Sequence, residues 1–191
     1  GESDILLATA KGFSIRFSEK EARPIGRTGR GVRGIRLKPD DLVVGAEIVH
    51  PGNMLLTVTS NGYGKRTLLN DPETNEPIYR VTNRGGKGVK TLNVTEKTGN
   101  LIAIKNVSDE NDLMIIKKSG VAIRLEVEKM RVMGRATQGV RLITLKSNDY
   151  IAAVAKVNKD DEEESELIEG EENSTDASSN DMNPEENNQE E

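Results

Sequence analysis

The 191-residue sequence contains no cysteine and no tryptophan, and aromatic residues make up only 3% of it. The absence of cysteine excludes disulfide bonds, cysteine-based zinc sites and thiol catalysis. No hydrophobic run approaches the length of a transmembrane helix, and no signal peptide is recognisable. With so few aromatic side chains, a surface on which single-stranded bases stack is not expected. The single histidine, His50, precedes Pro51-Gly52, and this pattern favours an exposed turn over a catalytic or metal-binding role.

Charge is distributed unevenly along the chain. Residues 158–191 contain 15 acidic residues and one basic residue, whereas residues 1–157 contain 17 acidic and 26 basic residues, a net charge of +9. The basic part has the charge expected of a partner for phosphate backbones. The acidic part has too few apolar residues to offset an ordering entropy of about 1–2 kcal/mol per residue, so we predict a disordered acidic tail over residues 158–191. Such a tail either competes with a nucleic acid for the cations or only keeps the protein in solution.

A motif of glycine, valine and a cation occurs three times, and each copy follows a turn rich in cations and small residues. Gly12 and Gly31 are separated by the same distance along the chain as Gly120 and Gly139, and the middle copy is longer because residues 70–77 are inserted. This repetition predicts one structural unit copied in series, with a basic turn at the same place in each. The first, second and third basic turns are residues 26–30, 84–87 and 134–138, and they precede Gly31-Val32-Arg33, Gly88-Val89-Lys90 and Gly139-Val140-Arg141.

Each repeat is predicted to form four β-strands. Phe13, Ile15 and Phe17 alternate with polar residues, as in a half-buried strand, and Asn61-Gly62 is a strong hairpin signal. The predicted strands are residues 5–10, 13–17, 32–37 and 43–49, then 54–59, 63–68, 89–94 and 101–107, then 113–116, 121–125, 140–145 and 150–157.

Four strands in about 50 residues are typical of a propeller blade, so we predict an all-β fold of three four-stranded blade repeats, over about residues 4–52, 53–108 and 109–157. Closed propellers need about four to eight blades, so three would form a partial propeller. Because the chain also begins without methionine, we expect it to be part of a longer protein.

The basic turns carry the strongest functional signal, since no phosphate-loop or dinucleotide motif is present. Glycines let the backbone approach a phosphate closely, and arginine can grip phosphate oxygens with two parallel hydrogen bonds. Any one of these cations could instead serve only to keep a strand edge soluble, but their recurrence favours contact with duplex DNA. The predicted DNA-binding residues are Arg27, Arg30, Arg33, Arg36, Lys65, Arg66, Arg84, Lys87, Lys90, Arg124, Arg135 and Arg141.

Three segments resemble the C-terminal domain family of the DNA gyrase A protein: residues 8–12 (ATAKG), 61–67 (NGYGKRT) and 134–142 (GRATQGVRL). The resemblance spans about residues 4–157. It implies a β-pinwheel, a six-bladed propeller variant that bends duplex DNA around a basic rim and so directs ATP-dependent negative supercoiling. The family's Gln-Arg-Arg-Gly-Gly-Lys-Gly box normally lies in the first blade. Residues 83–88 (NRGGKG) lack its glutamine and one arginine, so we expect these units to be the last three blades.

The resemblance also implies a non-catalytic module without a cofactor of its own. The catalytic tyrosine and the ATP and Mg²⁺ sites of the type II topoisomerase are expected to lie outside this chain. The implied partners are double-stranded DNA, the rest of the gyrase A protein and the gyrase B protein, in the bacterial cytoplasm at the nucleoid and away from membranes. Self-association through the open end blades is a further expectation. Two alternatives remain: the C-terminal domain of the topoisomerase IV A protein, which shares the fold, and a propeller fragment that acts as a protein–protein scaffold.

Overall fold

The computed structural model describes residues 2–147 and 149–159. From residue 160 onward, the predicted acidic tail lies outside the described residues. The fold below is that of the unit that ends at Asn158.

The described residues form β-strands and one short 3₁₀ helix, Glu19–Glu21. This confirms the predicted all-β fold class. The strands are β1 (Asp4–Thr9), β2 (Phe13–Ser18), β3 (Val43–Val49), β4 (Met54–Thr59), β5 (Tyr63–Leu68), β6 (Val89–Lys90), β7 (Leu101–Val107), β8 (Asn111–Lys117), β9 (Ala122–Glu126), β10 (Val140–Arg141) and β11 (Ile151–Asn158).

The strands form three antiparallel sheets. The strand order is β3-β1-β2-β6 in the first sheet, β10-β5-β4-β7 in the second and β11-β8-β9 in the third. Each sheet is built around one tight hairpin, β1-β2, β4-β5 or β8-β9, as the turn signals predict. The third sheet has three strands within the described residues, where the sequence predicts four.

The fourth strand of each four-stranded sheet comes from the following repeat. Strand β6 of the second repeat pairs with β2, and β10 of the third repeat pairs with β5. Each repeat therefore donates its glycine-valine-cation segment to its predecessor. The prediction that these segments complete their own repeat's sheet is wrong. Residues 32–37, predicted to be a strand, are not one, because within the described residues no preceding sheet is present to receive them.

A hairpin glycine provides the docking point for each donated strand. The carbonyl oxygen of Gly62 accepts hydrogen bonds from the backbone N–H groups of Leu142 (2.8 Å) and Ile143 (3.3 Å). A Cβ on Gly62 would lie 2.6 Å from the Ile143 carbonyl oxygen. Gly120, at the same place in the third hairpin, has nothing within 4 Å of the corresponding Cβ position among the described residues. Within the part of the chain that the structure describes, the β9 edge of the third sheet is therefore open at this point.

The sheets pack face to face in series. Leu6 and Ala8 of β1 pack with Leu55 of β4, while the alternate β4 residues Leu56 and Val58 lie in the cluster shared with β8. Because the second sheet is covered on both faces, all six residues of β4 are buried. Four of these residues are apolar, and the two threonines, Thr57 and Thr59, are buried as well.

Candidate nucleic-acid interface

Five of the predicted cations lie free on the surface of the first and second repeats. All five side chains are exposed, and none has a hydrogen-bond or ion-pair partner within residues 2–147 and 149–159. Unpaired guanidinium and ammonium groups remain available to an anionic ligand. These cations, which we call the free cations, are Arg27, Arg30, Arg33, Arg36 and Lys87.

Backbone contacts bring the basic segments of the first two repeats together. The N–H of Arg36 donates to the carbonyl oxygen of Gly86, in the second basic turn, at 2.8 Å. The half-buried guanidinium of Arg84 donates to the carbonyl oxygens of Glu21 (2.9 Å) and Arg33 (3.2 Å). Residues 33–36 and the second basic turn therefore form one continuous cationic patch.

The same arrangement recurs between the second and third repeats. The N–H of Asn93 donates to the carbonyl oxygen of Thr137, in the third basic turn, at 3.0 Å. The ammonium of Lys90, which is exposed, donates to the Asn93 side chain at 3.1 Å. Lys90 and the turn that carries Arg135 are therefore neighbours, and a second cationic patch repeats the first.

Aromatic rings support several cations instead of facing solvent. Arg141 donates to the Tyr63 hydroxyl (3.0 Å), and its guanidinium carbon lies 5.5 Å from the centre of the Tyr63 ring. The Lys97 ammonium lies 5.7 Å from the same ring. In the first sheet, Lys38 lies 3.9 Å from the centre of the Phe13 ring. Sequence reasoning missed Lys38 and Lys97, although each follows its glycine-valine-cation motif within the same repeat.

Two predicted binding residues point inward, and this placement corrects their assignment to the outer surface. Lys65 is completely buried. Arg66, only 5% exposed, donates to the carbonyl oxygens of Met130 (2.9 Å) and Glu128 (2.7 Å) and forms an ion pair with Asp109. Their side chains instead make hydrogen bonds inside the fold.

Arg124 also differs from the free cations, since its guanidinium is paired with Asp112 at 2.6 Å and is 27% exposed. Arg16, which sequence reasoning did not select, occupies the same position in the first sheet and pairs with Asp4 at 2.8 Å. Arg16 also donates to the Asn70 side chain of the second repeat at 2.8 Å. In each repeat, the arginine at this position therefore forms an ion pair within the fold.

No helix in the described residues has the length and apolar character needed to cross a membrane. Within the same residues, no three His, Asp or Glu side chains group together as a metal-binding cluster.

Comparison with known proteins identifies the family. The model of the family described as "DNA gyrase C-terminal domain, beta-propeller" matches residues 3–50, 53–71, 79–108 and 111–158. The chain belongs to this family. The match leaves out residues 72–78, which make up most of the insertion predicted in the second repeat, and it includes the two cationic patches.

Relatives with this gyrase domain are similar over most of the chain. The A subunit of DNA gyrase from Staphylococcus aureus strain MRSA252 is 48% identical over 168 residues, which cover 87% of this chain and 18% of the relative. The same protein from strain NCTC 8325 is 48% identical over 166 residues. The chain therefore spans less than a fifth of the length of these relatives.

Solved structures share the fold of this gyrase-family chain. A DNA gyrase A C-terminal domain superposes with a TM-score of 0.71 at 26% identity, over 82% of this chain and 51% of the other. The C-terminal domain of DNA topoisomerase IV gives a TM-score of 0.77 at 21% identity, over 91% of this chain and 52% of the other. Each of these domains is about twice as long as the segment that this chain matches.

Proposed function

We propose that this chain is a non-catalytic module that binds double-stranded DNA through its two cationic patches and bends the DNA along them. The observation that carries the proposal is the set of free cations: they are exposed, and their side chains have no partner among the described residues. Cations that neutralise phosphates release counterions from DNA, and this release supplies sequence-independent affinity. Because backbone contacts do not read bases, we expect any sequence preference to come from DNA deformability.

The aromatic rings support binding to a duplex over binding to a single strand. Tyr63 is 7% exposed and Tyr79 is 1% exposed, and both lie beneath arginine side chains. A base could not stack on either ring without displacing the arginine. Proteins that bind single strands usually present such rings to the bases.

In the full-length protein, we propose that this module helps to wrap DNA for ATP-dependent negative supercoiling. This role requires the rest of the gyrase A protein and the gyrase B protein, whose catalytic tyrosine, ATP and Mg²⁺ would act outside this chain. The proposed setting is the bacterial cytoplasm at the nucleoid. The 48% identity to DNA gyrase favours this assignment over topoisomerase IV, since the topoisomerase IV domain is only 21% identical.

A protein-binding role is supported by a different feature, the open edge of β9. Val121, beside this edge, is 47% exposed, and Gly120 leaves space for a donated strand. We propose that this edge accepts the glycine-valine-cation segment of another repeat, either from the full-length protein or from a second copy of the chain. Such pairing extends the fold and is compatible with DNA binding elsewhere.

A salt titration of duplex binding separates DNA binding from a purely protein-binding scaffold. If about five phosphates are neutralised, log K falls against log salt concentration with a slope of about −4 to −5. Fluorescence anisotropy of a labelled duplex measures this slope directly. A flat dependence, or no binding at low salt, would reject the DNA-binding proposal and favour the scaffold.

A further inference from the structure

Lys65 is a lysine enclosed within the protein, and all of its donors are used. Its ammonium donates to the carbonyl oxygens of Gly134 (2.6 Å) and Arg135 (2.5 Å) and to the hydroxyl of Thr137 (3.0 Å). An ammonium has three N–H donors, so these contacts satisfy it completely. All three acceptors belong to the third basic turn.

Between the first and second repeats, the side chain at the corresponding hairpin position is uncharged. Ile15 occupies the position of Lys65 in the first hairpin, and Gly86 occupies the position of Thr137 in the second basic turn. A Cβ on Gly86 would lie 3.4 Å from the Ile15 side chain. The second basic turn therefore rests on an apolar side chain, whereas the third is tied by three hydrogen bonds from Lys65.

The tie acts on the turn that carries Arg135. The guanidinium carbon of Arg135 lies 5.8 Å from the centre of the Tyr79 ring, and the Tyr79 hydroxyl is hydrogen-bonded to Thr91 at 2.6 Å. Lys65 thus fixes the backbone of Arg135 from inside, while Tyr79 supports its side chain. Holding a cation in one orientation lowers the entropy lost when it meets a phosphate.

We infer that Lys65 is a positioning residue for DNA binding: its buried ammonium holds the third basic turn in the conformation in which Arg135 meets a phosphate. This inference rests on the proposed DNA-binding function. It assigns Lys65 a role that acts through Arg135 and involves no contact with DNA.

The protonation of Lys65 links this role to pH. Burial lowers the pKa of Lys65 to about 8, and the positive charge of Arg135 contributes in the same direction. Tyr79, beneath the same turn, remains neutral because burial raises its pKa. A phosphate bound to Arg135 offsets the repulsion between the two cations and favours the ammonium form of Lys65. DNA binding should therefore weaken as the pH rises through about 8.

The test compares Lys65→Met with the matched control Lys156→Met, which removes one exposed lysine from β11. The readout is anisotropy of a labelled duplex at pH 7 and pH 9. We expect K65M to weaken binding at pH 7 by roughly tenfold, equivalent to one charge-assisted hydrogen bond, and to be insensitive to pH over this range. The wild type and K156M should both bind strongly at pH 7 and lose affinity by pH 9.

Arg135→Ala distinguishes failure of this inference from failure of the proposed function. If R135A weakens binding while K65M binds like the wild type, the positioning role is rejected and the DNA-binding function stands. If the wild type does not bind the duplex at all, the proposed function fails.

Amide hydrogen exchange in the wild type tests the tie even if K65M does not fold. Opening the third basic turn releases Lys65 to its ordinary, higher pKa, so a rise in pH favours the closed turn. After correction for intrinsic rates, the third basic turn should therefore gain protection between pH 7 and pH 9, and the second basic turn should not. Equal behaviour of the two turns would overturn the inference.

Discussion

At the scale of single residues, Arg30 and Arg66 carry the same charge but have opposite surroundings. Arg30 is exposed in the first basic turn, whereas Arg66 is buried and donates to backbone carbonyl oxygens of the third repeat. A cation with internal acceptors stabilises the fold, and one without them remains available to a ligand. The two side chains should therefore respond differently to mutation.

Arg66→Ala should lower the free energy of unfolding by about 1–3 kcal/mol, because it leaves the buried carbonyl oxygen of Met130 without this donor. Arg30→Ala should change that free energy by less than about 0.5 kcal/mol, as expected for an exposed side chain, and should weaken duplex binding. Urea denaturation and anisotropy measure the two effects. A stability loss in R30A equal to that in R66A would contradict this division.

The buried ammonium of Lys65 should also make stability depend on pH. Its folded-state pKa of about 8 lies below its ordinary value of 10.5, so between these values the unfolded chain binds more protons than the folded one. Raising the pH across this window therefore favours the folded state. The unfolding free energy of the wild type minus that of K65M should rise from pH 8 to pH 10 in urea denaturation. A constant or falling difference would show that the pKa is not lowered.

The sequence contained a signal for these inward cations that charge alone does not reveal. When the repeats are aligned, Lys65 occupies the position of Ile15 in the first hairpin and Ile123 in the third. Two isoleucines at this position indicate that its side chain faces the core. Arg66 aligns with Arg16 and Arg124, and this position is occupied by arginine in all three repeats. Whether such an arginine binds DNA or a backbone carbonyl depends on the neighbouring repeat, which local sequence patterns do not describe.

At the scale of elements, the donated strands determine how the repeats are joined. The hairpins were predictable because alternation and turn glycines are local signals. The sheet with which each glycine-valine-cation segment pairs was not predictable. Only two residues of each donated strand are paired, and their partner strand belongs to the preceding repeat. Val32 follows the same sequence pattern as Val89 and Val140 but has no such sheet among the described residues.

Two glycines provide a matched test of strand donation. Gly139 and Gly31 have φ values of 79° and 72°, so alanine at either position incurs the left-handed penalty of roughly 1–2 kcal/mol. Only at Gly139 would the new Cβ lie 2.6 Å from a carbonyl oxygen, that of Gly64. Gly139→Ala should therefore destabilise the fold by at least about 1 kcal/mol more than Gly31→Ala. Equal losses in urea denaturation would argue against the β5-β10 pairing.

At the scale of the whole molecule, the stacked sheets place the second and third basic turns at successive repeat junctions. The repeats, the all-β class and the family resemblance were all readable from the sequence, because each depends on periodic local patterns. The two cationic patches were not readable from the sequence. They form where residues 33–36 contact the second basic turn and where Asn93 contacts the third basic turn. These are contacts between repeats, so they emerge only when the sheets pack.

The most direct test of the account compares the salt dependence of duplex binding in two variants of equal net charge. The test variant has glutamine in place of all five free cations. The control has glutamine at five other exposed cations, Lys20, Lys118, Lys129, Arg131 and Lys156. In the test variant, we predict that the slope of log K against log salt becomes shallower by roughly 0.9 for each phosphate that is no longer neutralised. In the control variant, the slope should stay close to that of the wild type. An equal change of slope in both variants would show that binding follows net charge alone, and would contradict the assignment of the free cations to the DNA-binding surface.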